Sequence, residues 1–304
     1  MTPPPEQRAA VEAADLAETT AVVTGSTNGI GREIALSLGR LGAAVVVHGR
    51  NREAGSQLAA EIDATAGRAE FVPADFASQA GVREFADAVT ATVDSIDILY
   101  NNAGGYFRRG RLTDDGIEYT FAVNHLAPFL LTHLLLPSMT ENGRVVTTSS
   151  GAHQQGSLDF DSLQSVDSYS GMGAYSRSKL ANILFTRELA RRTDAVTANC
   201  FHPGFVPGSD FFRDLPVFLR VPMQAASVVP GVGSSVEQGA ATGVYLGVSS
   251  DVAATSGKYF SRFSETTPSG AARDDTTARR LWDVSEELTA LADENQLAPP
   301  PELH

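Results

Sequence analysis

Hydrophobic positions along the chain alternate between short β-branched runs and longer amphipathic segments. The short runs are nearly continuous in apolar residues, whereas the longer segments repeat their apolar positions with the period of an α-helix. Strands apolar on both faces, separated by helices, are typical of a parallel sheet covered on both sides. The pattern therefore predicts an α/β fold, a doubly wound parallel sheet of about seven strands with helices on both faces. The predicted strands run from Thr19 to Gly25, Ala43 to Gly49, Ala69 to Asp75, Asp97 to Gly104, Gly143 to Ser150, Val196 to Gly204 and Gly257 to Phe260.

Two segments interrupt this alternation, residues 151–173 and residues 205–235. Long loops in a compact domain are usually functional, so both are predicted to contact substrate. The second segment carries a dense set of large apolar side chains, which form either a buried helix or a lid over a bulky apolar substrate. They are Phe205, Phe211, Phe212, Leu215, Val217, Phe218, Leu219, Val221 and Met223.

Neither an internal repeat nor a linker divides the alternation, so we expect one domain. It covers residues 16–293, between a mobile leader at residues 1–15 and a mobile tail at residues 294–304. Both ends have too little apolar content to predict strong packing.

The charge and cysteine content exclude several classes of partner. The chain has 304 residues, with 36 Asp and Glu against 23 Lys and Arg, and a formal net charge of −13. Nucleic acid and anionic membrane surfaces would repel it, so we expect neither as a partner. The single cysteine, Cys200, excludes an internal disulfide and fits a reducing compartment, and we expect a cytoplasmic protein. The histidines show no metal-ligand spacing, and His125 and His133 are expected to pack or lie on the surface, so no metal is predicted.

A glycine-rich turn follows the first predicted strand. It contains Gly25, Gly29 and Gly31 in the spacing G-x-x-x-G-x-G and leads into an amphipathic segment. Glycines at such a turn let the backbone approach a pyrophosphate, which then lies at the positive end of the helix. Glycine-rich turns also arise for purely conformational reasons, so this motif alone leaves both interpretations open.

Four further motifs follow in chain order. They are Asn101-Asn102-Ala103-Gly104 after the fourth strand, Asn124 in a helical stretch, Ser149-Ser150 after the fifth strand, and Tyr175-x-x-x-Lys179 at the start of a helix. Together with the glycine turn, they resemble the short-chain dehydrogenase/reductase family, whose fold is a single Rossmann-type sheet. The stretches FAVNHLAPFLLT, RVVTTSSGAH and YSRSKLANILFTREL further resemble its retinol-dehydrogenase-like branch. A sugar-nucleotide epimerase or dehydratase of the extended branch is disfavoured, because that branch typically carries TGxxGxxG.

The resemblance implies four catalytic residues, Asn124, Ser150, Tyr175 and Lys179. Tyr175 would be the acid/base, and Lys179, one helical turn away, would lower the pKa of its phenol. Ser150 would donate a hydrogen bond to the substrate oxygen, with Ser149 as the competing candidate. Ser150 is preferred because 175 − 150 = 25 is the interval of the retinol-dehydrogenase-like pattern. Asn124 would order a water near the lysine.

Arg50 determines the predicted cofactor. It follows the second strand, where an Asp or Glu would accept hydrogen bonds from the ribose of NAD. A guanidinium there suits the 2′-phosphate of NADP(H). Asn28 replaces a basic residue that some NADP(H) enzymes have in the glycine turn, so Arg50 is expected to act nearly alone. Asp75 would accept the adenine amino group. The predicted cofactor-binding residues are Gly25, Thr27, Asn28, Gly29, Ile30, Gly31, Arg50, Asn51, Asp75, Phe76, Asn102, Ala103, Gly104, Tyr175, Lys179, Pro203, Gly204 and Val206.

The predicted activity is hydride transfer between NADP(H) and a carbonyl or alcohol substrate, with reduction of a bulky or apolar ketone or aldehyde favoured. The alternative is a noncatalytic NADP(H)-binding sensor or scaffold on the same fold. The only partners expected are this small molecule and further copies of the chain, in a homodimer or homotetramer.

Overall fold

The computed structural model describes residues 2–206 and 233–291. Within them, one sheet of eight strands has the order β3-β2-β1-β4-β5-β6-β7-β8. The first seven strands are parallel to their neighbours, and β8 pairs antiparallel with β7. The strands are β1 Thr20–Val23, β2 Ala44–Gly49, β3 Arg68–Pro73, β4 Ile96–Asn101, β5 Met139–Thr148, β6 Val196–His202, β7 Lys258–Ser261 and β8 Ser264–Glu265.

The predicted fold class is confirmed, with one addition at the sheet edge. Seven strands correspond to the seven apolar runs, whereas Ser264–Glu265 forms an exposed two-residue strand with no hydrophobic signal. Arg262 and Phe263, both at positive φ, turn the chain back so that this strand can form.

Helices cover both faces of the sheet. They are α1 Pro5–Arg8, α2 Gly29–Arg40, α3 Arg52–Asp63, α4 Gln79–Thr92, α5 Tyr119–Phe121, α6 Ala127–Leu135, α7 Gly171–Arg192, α8 Val236–Val248 and α9 Asp275–Leu288, with a π-helical turn Ala122–Leu126 joining α5 to α6. Successive strand residues point to opposite faces. Val23 therefore packs in the core beneath α2 and α8, while its neighbour Val22 packs in the core beneath α4, α6 and α7.

The strand order reverses direction between β1 and β4, with β2 on one side and β5 on the other. In doubly wound sheets, such a switch point leaves a crevice beyond the carboxyl ends of the strands where ligands bind. The glycine turn after β1 and the residues after β4 and β5 lie at this edge.

The N-terminal leader is packed against the fold. Glu6 is only 6% exposed, and its carboxylate pairs with Arg40 at the end of α2, with Nε and Oε1 separated by 2.6 Å. Ala9 and Val11 belong to the core beneath α2 and α8. Residues 2–15 thus differ from the mobile leader predicted from composition, because one ion pair and two small apolar side chains anchor an otherwise polar segment.

Other predicted segments lie partly or wholly outside the described residues. The tail at residues 294–304 is outside, as are the apolar positions from Phe211 to Met223 of the predicted lid. The loop at residues 151–173 is described and contains the 3₁₀ turns Gly151–Gln155 and Phe160–Ser162.

One described helical stretch, Tyr119–Ser138, is long and apolar enough to span a membrane, with a mean hydropathy of 1.2. However, 78% of its most apolar 18 residues are buried inside the fold. Its apolar character is that of a core helix beside the sheet.

Candidate active site

A cavity of about 470 Å³ opens at the carboxyl ends of the strands. Residues distant in sequence line it together: the glycine turn, the ends of β2 and β3, the turn after β4, the serines after β5 and the first turns of α7. The predicted site residues on its wall are Gly25, Thr27, Asn28, Gly29, Ile30, Arg50, Asp75, Phe76, Asn102, Ala103, Gly104, Ser150, Tyr175, Lys179, Pro203, Gly204 and Val206.

The glycine turn is shaped for close backbone approach. Gly25 has φ +63°, and a Cβ there would lie 2.7 Å from Cα of Ala103. A Cβ at Gly31 would collide with the carbonyl oxygen of Gly25, so Gly31 packs the turn and does not line the cavity. Helix α2 begins at Gly29, so its free amide groups and positive dipole end face the cavity. This cradle fits a pyrophosphate.

His48, at the end of β2, holds the glycine turn and was not predicted as a site residue. Its Nδ1 accepts from the N–H of Gly25 at 3.0 Å, and Nε2 lies 3.3 Å from the carbonyl oxygen of Ala74. The ring stacks on Phe76, with 4.0 Å between centroids. Burial lowers the pKa of His48 to about 4, which keeps it neutral. The sequence could have indicated His48, because it is a polar residue at the end of an otherwise apolar strand.

Arg50 and Asp75 stand together at the far end of the cavity. Nη1 of Arg50 is 3.8 Å from Oδ1 of Asp75, and the two side chains are 48% and 56% exposed. The same nitrogen is 3.5 Å from the hydroxyl of Tyr119, a cavity residue that the motifs did not indicate. Asn51 was predicted to bind cofactor, but its side chain caps α3 by accepting from Ala54 N and does not line the cavity. An Asn immediately before a helix makes this local bond in preference to a distant one.

The turn after β4 is tied to β1. Nδ2 of Asn102 donates to the carbonyl oxygens of Thr24 and Gly25 at 3.0 and 3.2 Å, and the amides of Asn102 and Ala103 donate to Oγ1 of Thr24. These bonds satisfy the backbone at the strand ends and keep the turn against the glycine turn.

Tyr175 and Lys179 lie one turn apart on α7, which begins with Ser170 accepting from Gly173 N. Both face the cavity although they are only 8% and 4% exposed. Nζ of Lys179 donates to the carbonyl oxygen of Thr148 at 2.9 Å and lies 5.7 Å from the centre of the Tyr175 ring.

Burial governs both pKa values. It raises the pKa of the Tyr175 phenol to about 12, opposed by a hydrogen bond with Ser150. It lowers the pKa of Lys179 to about 8. The shift of Tyr175 is opposite to the lowering expected from a neighbouring ammonium, because desolvation outweighs an ammonium that already donates to Thr148.

The two adjacent serines have different environments. Oγ of Ser149 is directed into the protein and donates to the carbonyl oxygen of Lys179 at 2.9 Å, leaving Ser149 1% exposed. Ser150 is half-buried and hydrogen-bonds with Tyr175. Its Oγ also accepts from Ala152 N at 3.2 Å. The geometry therefore favours Ser150 as the group that meets a substrate oxygen.

Asn124 lies behind the cavity wall, in the π-helical turn, and is fully buried. Its amide accepts from Gly105 N and donates to Gly105 O, each at 2.9 Å, and donates to Oγ of Ser178 at 3.0 Å. Asn124 thus holds the loop after β4 against α7, and it does not itself line the cavity.

His202 is a further wall residue that the motifs did not indicate. Its Nδ1 accepts from Gly151 N at 3.0 Å, which orients the backbone directly after Ser150. The sequence could have indicated His202, because it immediately precedes the predicted cofactor-binding residues Pro203 and Gly204.

No group of three or more His, Cys, Asp or Glu side chains in the described part of the chain could hold a metal ion. His125 is fully buried, with Nε2 3.1 Å from Oγ of Ser285, and the ring of His133 lies tilted against Phe129 with 4.3 Å between centroids.

The chain is similar to known proteins in both sequence and fold. Residues 19–216 match the family described as short chain dehydrogenase. Retinol dehydrogenase 14 of Mus musculus is 38% identical over 292 residues, which cover 90% of this chain and 86% of that protein. An uncharacterized protein from Mycobacterium Paratuberculosis has a crystal structure similar to this one, with TM-score 0.73 and 32% identity over 91% of this chain and 95% of that chain. A short chain dehydrogenase from Burkholderia cenocepacia J2315 in complex with NADP has TM-score 0.66 and 27% identity over 85% of this chain and 99% of that chain.

The chain therefore belongs to the short-chain dehydrogenase/reductase family. This makes it an oxidoreductase of a family that uses nicotinamide cofactors, and it confirms the resemblance to the retinol-dehydrogenase-like branch.

Proposed function

We propose that this protein is an NADP(H)-dependent reductase of bulky, apolar ketones or aldehydes. One observation carries the proposal: a single cavity joins the glycine turn and Arg50 at one end to Ser150, Tyr175 and Lys179 at the other. One extended cofactor molecule could therefore lie on the glycine turn and still reach the three candidate catalytic side chains.

The cofactor would supply the hydride, and the residues present fit it. Gly25, Gly29 and the start of α2 would hold the pyrophosphate, and the turn at Asn102 would contact the adenosine ribose. Arg50 favours NADP(H), because a guanidinium pairs with a phosphate in bidentate geometry. The NADP complex of the Burkholderia cenocepacia relative supports this choice.

The protonation states of Tyr175 and Lys179 suit carbonyl reduction. A phenol with a pKa of about 12 is protonated at neutral pH, so Tyr175 is ready to donate a proton to the substrate oxygen. Ser150 would donate a hydrogen bond to the same oxygen, where negative charge grows as the hydride arrives. Lys179, with a pKa of about 8, supplies the positive charge that favours the phenolate left behind.

Apolar side chains on the wall support an apolar substrate. Phe107, Val123, Ala152 and Phe205 line the cavity, and Phe205 is 49% exposed. Large apolar side chains on the wall of a pocket are typical of a site that selects large, poorly hydrated molecules.

The test is turnover by native protein and by Tyr175→Phe in an NADPH-oxidation screen of aldehydes, quinones, steroids and aromatic ketones. We expect the native protein to reduce at least one bulky carbonyl, and the variant to lose at least ~10²-fold in turnover. The variant lacks only a hydroxyl, so its affinity for NADPH is expected to change by a few-fold at most, since the ring can still pack.

Two results would overturn the proposal. One is full turnover by Tyr175→Phe. The other is a native protein that binds NADPH and reduces none of the carbonyls, which would make it the noncatalytic sensor. Equal affinity for NADH and NADPH would overturn the cofactor assignment alone.

A further inference from the structure

Tyr119 connects two arginines from distant parts of the chain. The guanidinium carbon of Arg111 lies 3.7 Å from the centre of the Tyr119 ring, a cation–π contact. Nη1 of Arg50 lies 3.5 Å from the hydroxyl of the same ring. Both guanidinium groups therefore contact Tyr119, which lines the cavity together with Arg50, whereas Arg111 lies behind this wall on the ring of Tyr119.

A short hairpin fixes this arrangement. The amide of Tyr119 donates to the carbonyl oxygen of Arg111 at 3.0 Å, and Leu112 forms a β-bridge with Glu118. Glu118 is fully buried, caps α5 and pairs with Arg177 of α7 at 3.1 Å. Through the Glu118–Arg177 ion pair, the hairpin that carries Arg111 is attached to α7, the helix that also carries Tyr175.

The positive charge of this pair is poorly neutralised. Among the described residues, no carboxylate lies within 4.0 Å of Arg111. The carboxylate of Asp75 is 3.8 Å from Arg50, but both side chains are about half exposed, and such pairs contribute little. In a chain with a net charge of −13, two guanidiniums on either side of one cavity-wall tyrosine favour an anion beside them.

We infer that Arg111 and Tyr119 form the second half of the site for the cofactor's 2′-phosphate, the first half being Arg50. This inference rests on the proposed NADP(H) dependence. A phosphate monoester carries about −1.5 to −2 charges at neutral pH, which two guanidiniums match. The tyrosine supplies a hydroxyl donor and a flat support for the Arg111 side chain.

The experiment measures Kd for NADPH and NADH by fluorescence titration with Arg111→Ala, Arg50→Ala and the matched control Arg109→Ala. Arg109 is exposed on the same loop and lies outside the site. We expect Arg111→Ala to weaken NADPH about ten-fold and NADH less than two-fold, since only a charged hydrogen bond to the 2′-phosphate is lost. Arg109→Ala is expected to match the native protein with both nucleotides.

Two additional measurements distinguish recognition from folding. Adenosine 2′,5′-bisphosphate carries the 2′-phosphate and ADP does not, and neither contains nicotinamide. Comparing the two as competitors therefore measures recognition of the 2′-phosphate alone. Tyr119→Phe keeps the ring beneath Arg111 and removes the hydroxyl, so we expect a loss of NADPH affinity smaller than that of Arg111→Ala.

The possible failures differ from one another. If Arg111→Ala and Arg109→Ala bind NADPH equally well while Arg50→Ala does not, the inference is wrong and the NADP(H) assignment stands. A similar loss of NADH and NADPH binding in Arg111→Ala would make Arg111 a structural residue and also overturn the inference. If the native protein shows no preference for NADPH, the proposed function fails at the cofactor.

Discussion

The amide of Gly25 donates a hydrogen bond of 3.0 Å to Nδ1 of His48. Because Nδ1 accepts, the neutral ring carries its proton on Nε2, which faces the carbonyl oxygen of Ala74. One imidazole therefore joins the glycine turn to the end of β3, and the shape of the pyrophosphate cradle depends on it.

Replacing His48 with Phe should weaken NADPH and NADH alike, by about ten-fold. Phenylalanine can keep the stacking on Phe76 but leaves the Gly25 N–H without its acceptor, and a donor left unsatisfied costs about 1 to 3 kcal/mol. Titration with both nucleotides provides the check, with Arg50→Ala as the control that affects NADPH alone. Unchanged affinities would show that the turn holds its shape without the histidine.

Ser150→Ala and Ser149→Ala should have different effects. We expect Ser150→Ala to lose ~10²-fold in kcat with little change in NADPH affinity, because it removes a donor to the developing oxyanion. Ser149→Ala should keep most of its activity and lose about 1 kcal/mol of stability, since it removes a buried hydrogen bond to Lys179 O. Steady-state kinetics and thermal unfolding of both variants decide this, and a reversal of the two effects would move the catalytic role to Ser149.

Carbonyl reduction should decline as the pH rises through about 8. Lys179 has a pKa of about 8, so its ammonium is present below that pH and is lost above it. In Lys179→Arg the charge persists, because a guanidinium stays protonated, so the decline near pH 8 should disappear even if overall activity is lower. The measurement is kcat/KM against pH for both proteins. A decline at the same pH in the variant would assign it to another group.

Stability should fall as the pH drops from 6.5 to 4, in part because of His133. Burial lowers its pKa to about 4, so between these values the unfolded chain binds a proton that the folded protein does not. This group should lower the free energy of unfolding by about 1 kcal/mol for each unit by which the pH falls in this range.

His133→Phe is the variant that tests this effect. It should show a shallower pH dependence of Tm, since Phe can pack against Phe129 and Trp282 and does not titrate. Parallel curves for the variant and the native protein would mean that His133 contributes nothing to acid destabilisation.

The sequence alone predicted the parallel strands β1 to β7 and the edge of the sheet where the motifs meet. Burial on both faces of a strand appears directly as a run such as Val45-Val46-Val47, and a glycine turn between strand and helix is a local signal. Tyr175 and Lys179 were predictable for the same reason, because helical spacing places them on one face whatever surrounds them.

The contacts between distant residues were decided only by the tertiary structure. Arg50 and Tyr119 are 69 positions apart, and no local pattern indicates that their side chains meet. Ser149 and Ser150 are identical neighbours in the sequence. Only the packing of α7 against β5 directs the hydroxyl of Ser149 inward and leaves that of Ser150 facing the cavity. The raised pKa of Tyr175 likewise comes from desolvation, a property of all the atoms that surround the phenol. Periodicity records how each residue lies relative to its own helix or strand, whereas proximity and desolvation exist only once those elements have packed together.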